Sequence, residues 1–148
     1  MSDYYIKMIP KQPEYRASEP VLDSARAFLE AVGNAERVNA AVHDAPVFID
    51  CGGNLEEIVC PVCGQTLDLA WWGEAMSAAA EQGFADLTVK LPCCGGDSSL
   101  NDLEYYFPCG FAATELTLVN PAIELGEDVI ARLGEILETP VRVVRAHL

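Results

Sequence analysis

The chain has 148 residues, 51% of them hydrophobic and 22% charged, which is enough apolar surface for one core without disulfides. Nine basic against 23 acidic side chains give a net charge of −14. A phosphate backbone and an anionic membrane surface are both repelled by that field, so neither is expected as a partner. No apolar run approaches the ~20 residues of a membrane span, and the opening Met1-Ser2-Asp3-Tyr4-Tyr5-Ile6-Lys7 has no secretory pattern. The expectation is a cytoplasmic protein.

The elements follow in chain order. Residues 4–9 alternate, with Tyr4, Ile6 and Met8 on one side, and form a strand stopped by Pro10. After a polar connector, Ser18 caps a helix to Val32, in which Val21, Leu22, Ala25, Phe28, Leu29 and Val32 recur at helical spacing. Gly33-Asn34 ends it. Residues 37–42 make a second strand, and residues 47–50 a separate extended piece beyond Pro46. Near the end, residues 113–119 are strand-like, with Phe111, Leu116 and Leu118 set against Glu115 and Thr117. Asn120-Pro121 breaks that strand, residues 127–137 form a helix, and residues 141–146 a final strand after Thr139-Pro140. The two ends therefore read strand–helix–strand twice. Joined, they predict an α+β, ferredoxin-like split sheet of residues 1–50 and 111–148, a single domain carrying an insertion at 51–110. Within the insertion the spacing predicts a helix over 69–82 that buries Leu69, Trp72, Met76, Ala79 and Ala80. Gly83 caps it, a strand follows over 84–91, and Ser99 with Asp102 starts one helical turn.

The six cysteines carry the chemistry. Cys60-Pro61-Val62-Cys63-Gly64 is a zinc-knuckle pattern: two spacer residues let both thiolates face one ion. Pro92-Cys93-Cys94-Gly95-Gly96 supplies a second cysteine turn, and two such turns make a zinc-ribbon-like, four-thiolate, structural Zn²⁺ site. A redox dithiol is the competing reading of Cys-Pro-x-Cys. It needs a helix after the first cysteine, whereas Gln65-Thr66-Leu67-Asp68 reads as a returning strand. Adjacent cysteines ligate together only in a tight turn. Spacing therefore favours Cys60, Cys63, Cys93 and Cys94 but leaves Cys109 as an alternative ligand. Cys51 is better read as a small buried hydrophobe.

Other chemistries lack their residues. There is no phosphate loop, no nucleophile elbow and no deaminase His-x-Glu with Pro-Cys-x-x-Cys. His43 and His147 are read as an ordinary and a solvated histidine. Trp71, Trp72, Tyr105, Tyr106 and Phe107 either pack the insertion or line a partner groove, packing being the simpler reading.

The motifs Asp50-Cys51-Gly52-Gly53-Asn54, Cys60-Pro61-Val62-Cys63-Gly64, Pro92-Cys93-Cys94-Gly95, Ser99-Leu100-Asn101-Asp102-Leu103 and Pro108-Cys109-Gly110-Phe111-Ala112 resemble those of a group of small uncharacterised bacterial proteins. The resemblance spans most of the chain, including Tyr4-Tyr5-Ile6 and Asn120-Pro121. It implies that the Cys93-Cys94 pair persists while the Cys109 position need not be cysteine, and hence a zinc site in a bacterial cytoplasmic protein. Some members carry a sugar-transporter ATPase label, which does not transfer to a chain without a phosphate loop. No activity is implied. The expected function is a non-catalytic zinc-binding module, of an inhibitor, immunity-type or regulatory kind, engaging a protein partner of basic character. The alternative is a small enzyme using Asp50, Asp97 or Asp102 in a pocket between sheet and insertion.

Overall fold

A computed structural model describes residues 3–51, 55–106 and 108–147. Gly52, Gly53 and Asn54 of the first resemblance motif, the Phe107 aromatic and the side chain of His147 lie outside the described residues. Among the described residues the fold is α+β, with three helices and antiparallel sheets.

The outer frame consists of β1 (Tyr4–Pro10), α1 (Glu19–Val32) and β2 (Arg37–Ile49), completed after the insertion by β7 (Gly110–Val119), α3 (Glu127–Leu137) and β8 (Val141–His147). These strands form one sheet in the order β2-β7-β1-β8, every neighbour antiparallel. Even-numbered residues of β1 and β7 (Ile6, Met8, Leu116 and Leu118), with Val38, face α1 and α3 and pack on Ala25, Leu29, Leu133 and Leu137. The opposite face carries Ile9, Phe111 and Val144 into a second cluster, which contains the apolar residues of the insertion. The insertion core is thus built partly on the sheet.

Three local expectations are corrected. Residues 37–49 are one strand, not two: Pro46 sits in a register shift between Val42 and Val47. β2 is an edge strand, where a proline without an N–H interrupts no inner ladder. Phe111 lies on the face opposite Leu116 and Leu118, as the two-residue period of a strand requires. Nearly every residue of β7 is buried because the strand is central, which blurs alternation. Finally, Ser18 stands at the N-cap of α1, but its side chain makes no capping bond; Pro20 in the first turn, whose missing N–H needs no partner there, marks the start.

The insertion holds β3 (Glu57–Val59), α2 (Leu69–Glu81), β4 (Thr88–Lys90), β5 (Asp97–Ser99) and β6 (Glu104–Tyr106), paired as β3-β6 and β4-β5. α2 begins at Asp68, whose carboxylate accepts from Ala70 N–H at 2.9 Å. It ends where the N–H groups of Gly83 and Phe84 return to the carbonyls of Ala80 and Ala79. The buried face of α2 is Trp71, Trp72, Ala75, Met76 and Ala79; Leu69, expected inside, is 51% exposed. The strand expected over 84–91 shrinks to three residues. Phe84 takes a positive φ to complete the helix end, and Asp86 accepts from the N–H of Thr88, making a turn. Ser99–Asp102 is a turn rather than a helix start: Ser99 Oγ accepts from Asn101 N–H at 3.2 Å, and the Ser99 carbonyl from Asp102 N–H at 2.9 Å.

Candidate metal centre

Two turns build the centre. In the first, Cys60 N–H donates to the Gln65 carbonyl at 2.8 Å and Gly64 N–H to the Cys60 carbonyl at 3.0 Å. In the second, Leu91 N–H donates to the Gly96 carbonyl and Gly95 N–H to the Leu91 carbonyl, both at 2.8 Å. Gly64 and Gly95 take φ of +78° and +74°, a conformation glycine adopts without penalty. The turns are therefore the same device. Leu91 stands where Cys60 does, Cys94 where Cys63 does, and Cys93 where Val62 does. The first turn offers sulfur from its first and fourth positions, and the second from its third and fourth, which is how adjacent cysteines serve one site.

The sulfurs converge. Cys63 and Cys93 Sγ are 3.3 Å apart, Cys60 and Cys94 Sγ 4.0 Å, and all four lie within 4.8 Å of one another. Four thiolates about 2.3 Å from a zinc ion would stand about 3.8 Å apart, so the cluster has the size of a tetrahedral site. Cys60 is buried and backs the cluster, whereas Cys63 and Cys94 are exposed. Val62, at the tip of the first turn, is 61% exposed.

The electrostatics favour a cation. Burial opposes ionisation of Cys60, but the N–H groups of Cys63 and Val62, each 3.4 Å from its sulfur, outweigh it and bring the thiol down to about 6. Cys93, hydrogen-bonded to Cys63 and removed from water, is pushed up to about 12. Four sulfurs this close can ionise together only around a positive charge. A dication at the centre supplies that charge.

Cys51 and Cys109 do not join the cluster. Both are buried, in segments set together by the Ile49–Gly110 pairing, and burial pushes both thiols up. His43 lies on the sheet, its Nε2 3.7 Å from a Glu115 carboxylate oxygen. The aromatics divide. Trp72 donates its indole N–H to the Tyr105 hydroxyl at 3.2 Å, and rings link Tyr105, Trp72, Phe48, Phe111 and Phe84 at centroid distances of 5.2–6.2 Å. That chain is packing between insertion and sheet, while Tyr106 is 51% exposed.

Of the three aspartates, Asp102 lines a polar cleft of about 370 Å³ with Lys11, Glu14 and Asp86; Asp50 and Asp97 do not. The N–H of Thr88 holds the Asp86 carboxyl below its ordinary value, favouring the carboxylate form.

One important residue escapes sequence reasoning. Asn101 is 3% exposed and joins three segments. Its Oδ1 accepts from Phe111 N–H at 2.9 Å and from Arg142 at 3.2 Å, and its Nδ2 donates to the Lys11 carbonyl at 2.8 Å. Arg142 also donates to the carbonyls of Asn101 and Cys109. Gly110 makes room for this clasp: a Cβ there would lie 2.5 Å from the guanidinium and 2.9 Å from Oδ1. The signals in the chain were its place in the Ser99-Leu100-Asn101-Asp102-Leu103 motif and its position between two leucines, both buried.

No protein-family model, curated protein or solved structure matches the chain.

Proposed function

We propose that this chain is a non-catalytic protein-interaction module, of an inhibitor, immunity-type or regulatory kind, stapled by one structural Zn²⁺ on Cys60, Cys63, Cys93 and Cys94. The observation that carries the metal part is the convergence of four sulfurs within 4.8 Å on two turns of the same bonding pattern. Four thiolates close a tetrahedron, leave no position for a reactive water, and so define a structural ion. The outer frame is read as ferredoxin-like, a reading supported by the β2-β7-β1-β8 order and the packing of α1 and α3 against one face. Among the described residues no helix is long and apolar enough to cross a membrane, and the cytoplasmic setting is supported by a four-thiolate site, which a reducing compartment preserves.

The partner follows from charge. A −14 surface repels nucleic acid and attracts a basic protein. The enzyme alternative has less support, since of its aspartates only Asp102 lines the polar cleft beside Lys11. The test is crosslinked capture from the native host with reduced, zinc-loaded chain. The expected result is a basic protein recovered in stoichiometric amount and lost as salt is raised. Recovery of the chain alone, or a water bound to the metal, contradicts the proposal.

A further inference from the structure

The outer sheet has two edges that differ in kind. β2 is protected by its register shift and Pro46, devices that blunt an edge against added strands. β8 has neither: it pairs with β1 without interruption from Tyr4–His147 to Pro10–Val141. Lys11 N–H donates to the Pro140 carbonyl at 3.0 Å, and bonded pairs recur every second residue. Arg142, Val144 and Ala146 therefore turn their peptide groups to β1, while Val141 and Val143 turn theirs away. Among the described residues no strand pairs with them.

An open, shallow groove of about 540 Å³ lies at the start of this edge, where one row of α3, Ile130, Ala131 and Gly134, forms a floor with Val141. Glu127, Glu135 and Glu138 also line it. Glu138 holds φ of +60°, where glycine would be unstrained, and so keeps a carboxylate at the groove at a conformational cost. Three arginines nearby are engaged, Arg132 with Glu135, Arg145 with Glu124, and Arg142 in the Asn101 clasp, while Lys11 stands at the Pro140 end.

We propose that the β8 edge and its α3 groove are the docking site for an extended, basic segment of a partner protein, which adds to the sheet as a fifth strand. Peptide groups of Val141 and Val143 bond the incoming backbone. Alternate side chains of that segment, apolar and slim, enter the groove over Ala131 and Gly134, and its lysines or arginines meet Glu127 and Glu138. Charge decides the occupant. A second copy would bring another −14 to an acidic groove, and a nucleic acid is repelled outright. The inference deepens the interaction-module reading and rests on it.

The test uses the full, zinc-loaded chain and a fluorescein-labelled short peptide alternating valine and lysine, read by anisotropy. The wild type should bind it and should not bind the valine–glutamate counterpart. Val143→Pro removes an outward N–H without breaking a bond to β1 and should weaken binding about tenfold. Glu127→Lys/Glu138→Lys should weaken it further with salt-sensitive kinetics. A measurement independent of any variant is amide exchange in the wild type, where peptide should slow Val141 and Val143 and leave β2 unchanged. Equal binding by wild type and Val143→Pro, with no slowing at Val141 and Val143, overturns the edge site while leaving the acidic-module reading standing. Binding by neither overturns both. A β8-paired homodimer seen by sedimentation and abolished by Val143→Pro also overturns the proposal.

Discussion

Removing the Asn101 side chain tests how the insertion is fastened to the sheet. Asn101→Ala deletes the acceptor of the buried Phe111 N–H and the donor to the carbonyl of Lys11, an exposed residue. One stranded buried group at about 1–3 kcal/mol and one lost part-exposed bond at about 0.5–1.5 kcal/mol give a loss of about 1.5–4.5 kcal/mol. Arg142 keeps the carbonyls of Asn101 and Cys109, so its charge is not abandoned. For a chain of this size 1 kcal/mol moves the melting temperature by about 3 °C, so a fall of roughly 5–14 °C is expected by calorimetry on the metal-loaded protein. Asn101→Asp keeps both acceptor roles and places a carboxylate beside Arg142, and should fall less. Asp102→Ala, at the exposed neighbour, should stay within about 0.5 kcal/mol of the wild type. A melt of Asn101→Ala within 3 °C of the wild type, or an equal drop in Asp102→Ala, would refute the reasoning.

Three further outcomes follow from the same geometry. Serine at Cys60, Cys63, Cys93 or Cys94 should each weaken zinc retention in competition with a chromogenic chelator, and serine at Cys51 or Cys109 should not. Chelation should bring fast amide exchange to residues 59–66 and 91–96 while Tyr4–Pro10, Glu127–Leu137 and the inward amides of Arg142, Val144 and Ala146 stay protected, because the helix-side core contains no insertion residue; uniform exchange would show the metal holding the whole fold. Burial raises the Cys51 and Cys109 thiols above 9.0 and the Tyr105 phenol above 10.0. Below pH 9 both states keep these protons and the contribution is whole. Above it the unfolded chain ionises first, so stability should fall with rising pH, and Cys51→Ala/Cys109→Ala should flatten that slope in urea titrations.

What the sequence made legible were features encoded by local pattern. α1 and α3 showed their apolar rows, β1 its alternation, and Cys60-Pro61-Val62-Cys63-Gly64 its turn, because each depends on residues a few positions apart. Features set by distant partners were hidden. The continuity of β2 through Pro46 depends on its being an edge, which only the strand order decides. The face taken by Phe111, by contrast, follows from the two-residue period alone, and the short β4 from the helix end at Phe84 and the turn at Asp86. Asn101 looked like part of a helix start because its three partner segments, at Lys11, Phe111 and Arg142, are far away in the chain. The kinship of the two cysteine turns was concealed by Leu91 standing in place of a cysteine, although the backbone bonding is shared.

The most direct test of the central claim is X-ray absorption, with elemental analysis, on protein purified under reducing conditions. The account predicts one zinc per chain with four sulfur neighbours at about 2.3 Å and no oxygen or nitrogen in the shell. Reduced protein without stoichiometric metal, or zinc with three sulfurs and an oxygen, would contradict it.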